Sequence, residues 1–213
     1  CKKFTLYELE QVVEYNKAER IKLIEDNKKQ LDGVVISKNG LEISILKFEI
    51  ISTIFIMIVG TLLHFTFGWS NNNPLVGTFS AVNESTWEHL KLLFFPMLIS
   101  TIIGYFYKWK VIPNYLCAKV LGIILSMSFI VVFFYTYTGI IGTNFAIVDI
   151  ASFFIAVALG QYIAYRKMES TFSCNKLVSI IILLVLCLCF FAFTFFPPHI
   201  ALFKDPITGM FGI

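Results

Sequence analysis

Charge is scarce in this sequence. Asp, Glu, Lys and Arg supply 15% of its 213 residues, against about a quarter in a soluble domain, so there is too little polar surface to cover a water-borne fold. The net charge of +3 leaves nothing to attract a nucleic acid. Disorder is excluded from the other side, because 57% of the residues are hydrophobic and Phe alone contributes 23. Cysteine, at five residues, is too sparse for a disulfide-stapled module. Phosphate loops, dinucleotide fingerprints, serine-nucleophile arrangements, His-Glu-x-x-His and Cys pairs at ligand spacing are all missing. No internal repeat or low-complexity tract stands out.

What is present is a set of long apolar runs. They cover about 50–69, 90–107, 120–141, 145–164 and 177–196, and each approaches the ~20 residues a helix needs to cross the hydrocarbon of a bilayer. Backbone amides in lipid must be satisfied within their own segment, which selects helices. The predicted fold is therefore all-α, a multi-pass transmembrane bundle of five spans occupying residues 48–213. Residues 1–47 read as a separate membrane-surface segment, a mixed-charge helix carrying Glu8, Glu10, Glu14, Lys17, Glu19, Arg20, Lys22, Glu25, Asp26, Lys28 and Lys29. Asn39-Gly40 within Val34–Ile43 predicts a short hairpin, with a continuous helix into the first span as the competing reading.

Lys and Arg set the orientation. Nine precede the first span, and the later connections carry one, three, none and three, with one after the last span. The asymmetry predicts a cytoplasmic N-terminus and an extracytoplasmic C-terminus in the cell membrane. An N-terminal Cys is also the residue lipid modification uses, which would put that end outside; the charge pattern argues against it. Cys1, Cys117 and Cys174 then lie on or near the cytoplasmic side and Cys187 and Cys189 within the last span, so no disulfide is expected.

The same topology gathers the remaining ionisable groups on the outer side. All three histidines, His64, His89 and His199, lie there, with Glu84, Glu88, Asp149 and Asp205; of the acidic residues beyond position 50 only Glu169 does not. Ionisable groups within a span usually face a partner or a cavity, which singles out His64 and Asp149. Imidazole and carboxylate together suit Zn²⁺ or another divalent ion, with Glu84 or Glu88 as a base for bound water and the three histidines, Asp149 and Asp205 as candidate ligands. Plainer readings stand beside this one. Ser85-x-x-Glu88 has the form of a capping box, Trp87 that of an interfacial anchor, and Asp149 that of a helix cap. Pro96 is expected to kink the second span or free a carbonyl.

The stretch Asn83-Glu84-Ser85-x-Trp87-Glu88-His89-Leu90-Lys91-Leu92, with Asn73-Pro74-Leu75-Val76-Gly77 and Pro197-Pro198-His199 … Asp205-Pro206-x-Thr208-Gly209, resembles an uncharacterised family of small multi-pass bacterial membrane proteins, a domain of unknown function. The resemblance covers most of 48–213 and implies no activity. Three functions remain open: a metal-dependent hydrolytic site at the outer face, a transporter using Asp149 and His64 with Gln161 deeper along an ion or proton path, and a non-catalytic scaffold or sensor. The bilayer is the one certain partner, and a homo-oligomer or a membrane partner is expected where five spans must enclose a pathway.

Overall fold

The computed structural model describes residues 6–107, 112, 114–168, 170 and 175–213; Cys1, Cys174 and Glu169 lie outside them. Among the described residues the chain is helical. Its helices are α1 (Leu6–Trp69), the single turn α2 (Pro74–Gly77), α3 (Thr86–Tyr107), α4 (Tyr115–Ile141), α5 (Ala146–Met168) and α6 (Lys176–Phe195), followed by a 3₁₀ turn at Ala201–Phe203. Five stretches are long and apolar enough to cross a membrane: Ser44–Trp69, Thr86–Tyr107, Tyr115–Ile141, Ala146–Met168 and Lys176–Phe195. The molecule is thus a multi-pass membrane protein. It divides into two compact units, Cys1–Leu46 and Lys47–Ile213.

The predicted hairpin at Val34–Ile43 does not form, since α1 runs through Gly33 and Gly40 without a break. An Asn-Gly turn needs two strands to join, and an isolated two-stranded hairpin is marginal in water. The span already provides a helix nucleus, and extending a helix is far easier than starting one. Each Gly costs about 1 kcal/mol relative to Ala, which is not enough to stop that extension. The expectation of no disulfide also fails: Cys117, near the start of α4, is disulfide-bonded, whereas Cys187 and Cys189 are free. Compartment arguments do not see which thiols the fold brings within bonding range.

Close helix approach explains the packing. Along α4 and α5, Gly122, Ser126, Ala156, Gly160 and Ala164 recur at one-turn spacing and face one another. A Cβ added at Gly122 would meet Gly160 O at 2.5 Å, and one at Gly160 would strike the Ser126 hydroxyl. That hydroxyl donates to Ala156 O at 2.8 Å, so small residues and an interhelical hydrogen bond hold the pair, as is common where lipid removes the hydrophobic drive. A second approach joins α1 to α3. Pro96 inside α3 has no N–H and leaves Leu92 O without its usual donor. Gly60 of α1 sits against that oxygen, and a Cβ there would fall 2.5 Å from it.

The abundant Phe fills the core between α3, α6 and the tail. Trp87 packs on Phe190 at 4.6 Å and Phe203 at 4.9 Å between ring centroids, and Phe190 on Phe94 at 4.9 Å. Trp87 is only 9% exposed, so it is a core residue and not the interfacial anchor its position in the sequence predicts. The C-terminal tail is held to this end of the bundle. Ile213 N donates to Thr194 O and Asn83 Nδ2 to Gly212 O.

Candidate functional site

The connection from α1 to α3 is short of regular structure, yet it is fixed by buried polar groups. Lys91, in the second turn of α3, is fully buried and bonds Glu88 Oε2 at 2.6 Å, Gly77 O at 2.8 Å and Ser80 O at 3.3 Å. Glu88 Oε2 also accepts from Val82 N at 3.0 Å. One ion pair in the first turns of α3 therefore gathers three points of the loop. Ser80 ties the same loop to α1, because its hydroxyl donates to Leu63 O and accepts from Phe67 N. An uninterrupted helix would join those two backbone groups directly.

The start of α3 is capped in a variant of the expected box. Ser85 Oγ accepts from Glu88 N at 3.4 Å, which is the forward half. The return half is missing, since Glu88 reaches Val82 N and Asn83 Oδ1 takes Ser85 N at 2.9 Å. With 83, 85, 88 and 91 all committed, Glu84 and His89 remain to face outward toward α1.

There they meet His64. Glu84 Oε1 lies 3.8 Å from His64 Nε2, and Glu84 Oε2 lies 3.4 Å from His89 Nε2. The two imidazole centroids are 5.2 Å apart. One ligand atom from each residue falls within 4.8 Å of the other two. The His89 Nδ1–H donates to Ser85 O at 3.0 Å, which aims Nε2 at the carboxylate. His64 Nδ1 is buried without a hydrogen-bond partner. Each of the three side chains is a third or more exposed, so the cluster opens to its surroundings. A hydrogen bond from His89 holds the Glu84 carboxyl below its usual range, outweighing a partial burial that pushes it up.

The other candidates are placed elsewhere. Glu88 is buried in its pair with Lys91. Asp149 accepts from the Tyr137 hydroxyl and from Asn144 Nδ2 at 2.9 Å, a network that secures the α4–α5 turn. His199 is exposed and lies tilted against the Phe211 ring at 4.7 Å between centroids. Asp205 is buried and closes the tail turn, accepting from Ile207 N at 2.8 Å and Thr208 Oγ1 at 2.7 Å. Two of the three histidines thus converge, with one carboxylate.

Sequence reasoning missed two features. Ser80 carries no motif, and its role depends on a loop path that no spacing reveals. The pair Glu49–Lys119, at 2.6 Å and almost wholly buried, joins α1 to α4; a lone Lys at a predicted span end reads as a topology marker instead.

The model of a family of unknown function, DUF6512, matches residues 39–213. No curated protein and no solved structure matches the chain.

Proposed function

The chain belongs to this family of unknown function, and from its own side chains we propose that His64, Glu84 and His89 bind one divalent metal ion, Zn²⁺ above others, and that the site hydrolyses its substrate at the membrane surface. The observation that carries this is the convergence of three ligand atoms within 4.8 Å. Around a tetrahedral zinc with bonds of ~2.0–2.1 Å, ligand atoms stand roughly 3.3 Å apart. The separation of 3.4 Å between Glu84 Oε2 and His89 Nε2 already has that value; His64 Nε2 lies 3.8 Å from the other carboxylate oxygen, so a shared ion would draw together three ligand atoms that now lie within 4.8 Å of one another.

The donor set also fits. Two histidines and one carboxylate form a common catalytic zinc set that leaves a fourth position for water. His89 has the further feature of such ligands, its second ring nitrogen donating to a backbone carbonyl. Bound there, the ion would make a nucleophile of water near neutral pH. His89 and His64 supply neutral nitrogens, Glu84 supplies charge, and Glu88 with Lys91 holds the loop that presents Glu84. The Lys and Arg distribution supports an extracytoplasmic site, although Lys91 is itself in a buried pair and not in a loop.

One observation favours a second reading. With Nδ1–H on Ser85 O and Nε2 3.4 Å from Glu84 Oε2, the metal-free pair shares a proton between imidazole and carboxyl. A histidine–carboxyl pair that shares a proton would serve a proton or ion path, as in a transporter.

Cobalt substitution separates the two. The full chain in detergent, loaded with Co²⁺, should show the intense visible bands of a tetrahedral nitrogen–oxygen site, lost in His89→Ala. A weak octahedral spectrum that His89→Ala does not alter would reject the metal site.

A further inference from the structure

At the start of α1's span lies a second polar cluster, fifteen residues before His64 and therefore roughly 22 Å from it along the helix. Glu49 of α1, Lys119 of α4 and Gln161 of α5 are 4%, 1% and 3% exposed. Lys119 Nζ bonds Glu49 Oε2 at 2.6 Å and Gln161 Oε1 at 3.3 Å. The rings of Phe48 and Tyr115 flank the ammonium at 5.8 and 5.9 Å.

Two atoms of the cluster are left without a protein partner. Glu49 Oε1 and Gln161 Nε2 are buried and have no hydrogen-bond partner. Each belongs to a terminal group whose other atom is fastened to Lys119, so the two unpartnered atoms border one ammonium. One is an acceptor, the other a donor. A buried ion pair is tolerated in low dielectric only when its remaining lone pairs and protons are also satisfied, and buried amides behave alike. A molecule that donates to Glu49 Oε1 and accepts from Gln161 Nε2 answers both needs. Water has those groups and the smallest size, and internal waters normally make two to four such bonds.

We propose that Glu49, Lys119 and Gln161 form an intramembrane water-binding site between α1, α4 and α5. The bound water completes the hydrogen bonding of the buried ion pair and makes this end of the bundle wet inside, in contrast to the apolar aromatic core around Phe94 and Phe190. The site is independent of any metal at His64, Glu84 and His89.

Radiolytic footprinting of the full chain in nanodiscs tests this, because X-ray pulses generate hydroxyl radicals from bound water in place. Tyr115, 1% exposed and beside Lys119, should be modified several-fold faster than Phe94 and Phe190, both fully buried, after correction for intrinsic ring reactivity. In Gln161→Leu the Tyr115 rate should fall toward theirs. A Tyr115 rate as low as theirs in the unaltered protein overturns the proposal, as does an unchanged rate in a folded Gln161→Leu. Should that variant not fold, the comparison within the unaltered protein decides alone.

Discussion

The Nδ1 of His89 stands 3.0 Å from the carbonyl oxygen of Ser85, one turn back on the same helix. A carbonyl only accepts, so this contact fixes the ring's tautomer and turns Nε2 toward Glu84. It also assigns Ser85 two separable tasks, since its hydroxyl caps Glu88 N while its backbone orients His89. Ser85→Ala should cost about 1 kcal/mol of stability through the lost cap and leave metal affinity nearly intact. His89→Ala should lose affinity by tenfold or more while unfolding at nearly the same temperature. Isothermal titration with Zn²⁺, paired with thermal unfolding, reads both.

Lys91 is the fastening of the α1–α3 loop. Lys91→Met strands the buried Glu88 carboxylate, for which the expected loss is about 3–5 kcal/mol. The double variant Glu88→Gln/Lys91→Met should recover part of it, because no unpaired charge remains. Thermal unfolding in detergent distinguishes this from a surface pair, whose removal would cost under about 1 kcal/mol.

Glu84 sets a pH dependence whose sign follows from its depressed carboxyl. A group that ionises more readily folded than unfolded stabilises the fold above its ordinary value of 4.5 and loses that contribution as pH falls below it. The metal-free protein should therefore lose thermal stability on acidification below that value, and Glu84→Gln should lose less. Equal slopes in the two proteins would remove Glu84 from the account.

Gly60 is the point where α1 rests on the carbonyl that Pro96 frees. In Gly60→Ala the new Cβ falls 2.5 Å from Leu92 O and 2.6 Å from the Phe153 ring, an overpacking worth about 1–3 kcal/mol. Because the same helix carries His64 one turn on, metal affinity should decline as well. A stable Gly60→Ala with unaltered affinity would show that α1 can shift freely.

The five spans were legible because lipid imposes a length and a composition that hydropathy reads directly. The N-terminal edges of the first three were less so: those spans begin at Ser44, Thr86 and Tyr115, while the last two begin within a residue of the apolar runs. Thr86 to Lys91 looks polar in sequence, yet it forms the first turns of α3, where Glu88 and Lys91 neutralise each other one turn apart. The gathering of ionisable residues on one side pointed to His64, Glu84 and His89, but also to Asp205, which closes a turn of the tail, and to His199, which lies exposed against Phe211. Sidedness reports which membrane face a residue occupies; only helix rotation and loop path decide which of them meet. Lys119 shows the same limit, its Glu49 partner lying seventy residues away with no periodicity to connect them.

The most direct measurement is the zinc content of the full chain, purified without chelator and analysed by plasma mass spectrometry beside His64→Ala, Glu84→Gln and His89→Ala. Close to one zinc per chain is expected, strongly reduced in each of the three variants and retained in His199→Ala. Zinc absent from the unaltered protein after reconstitution, or retained equally in all three variants, would contradict it.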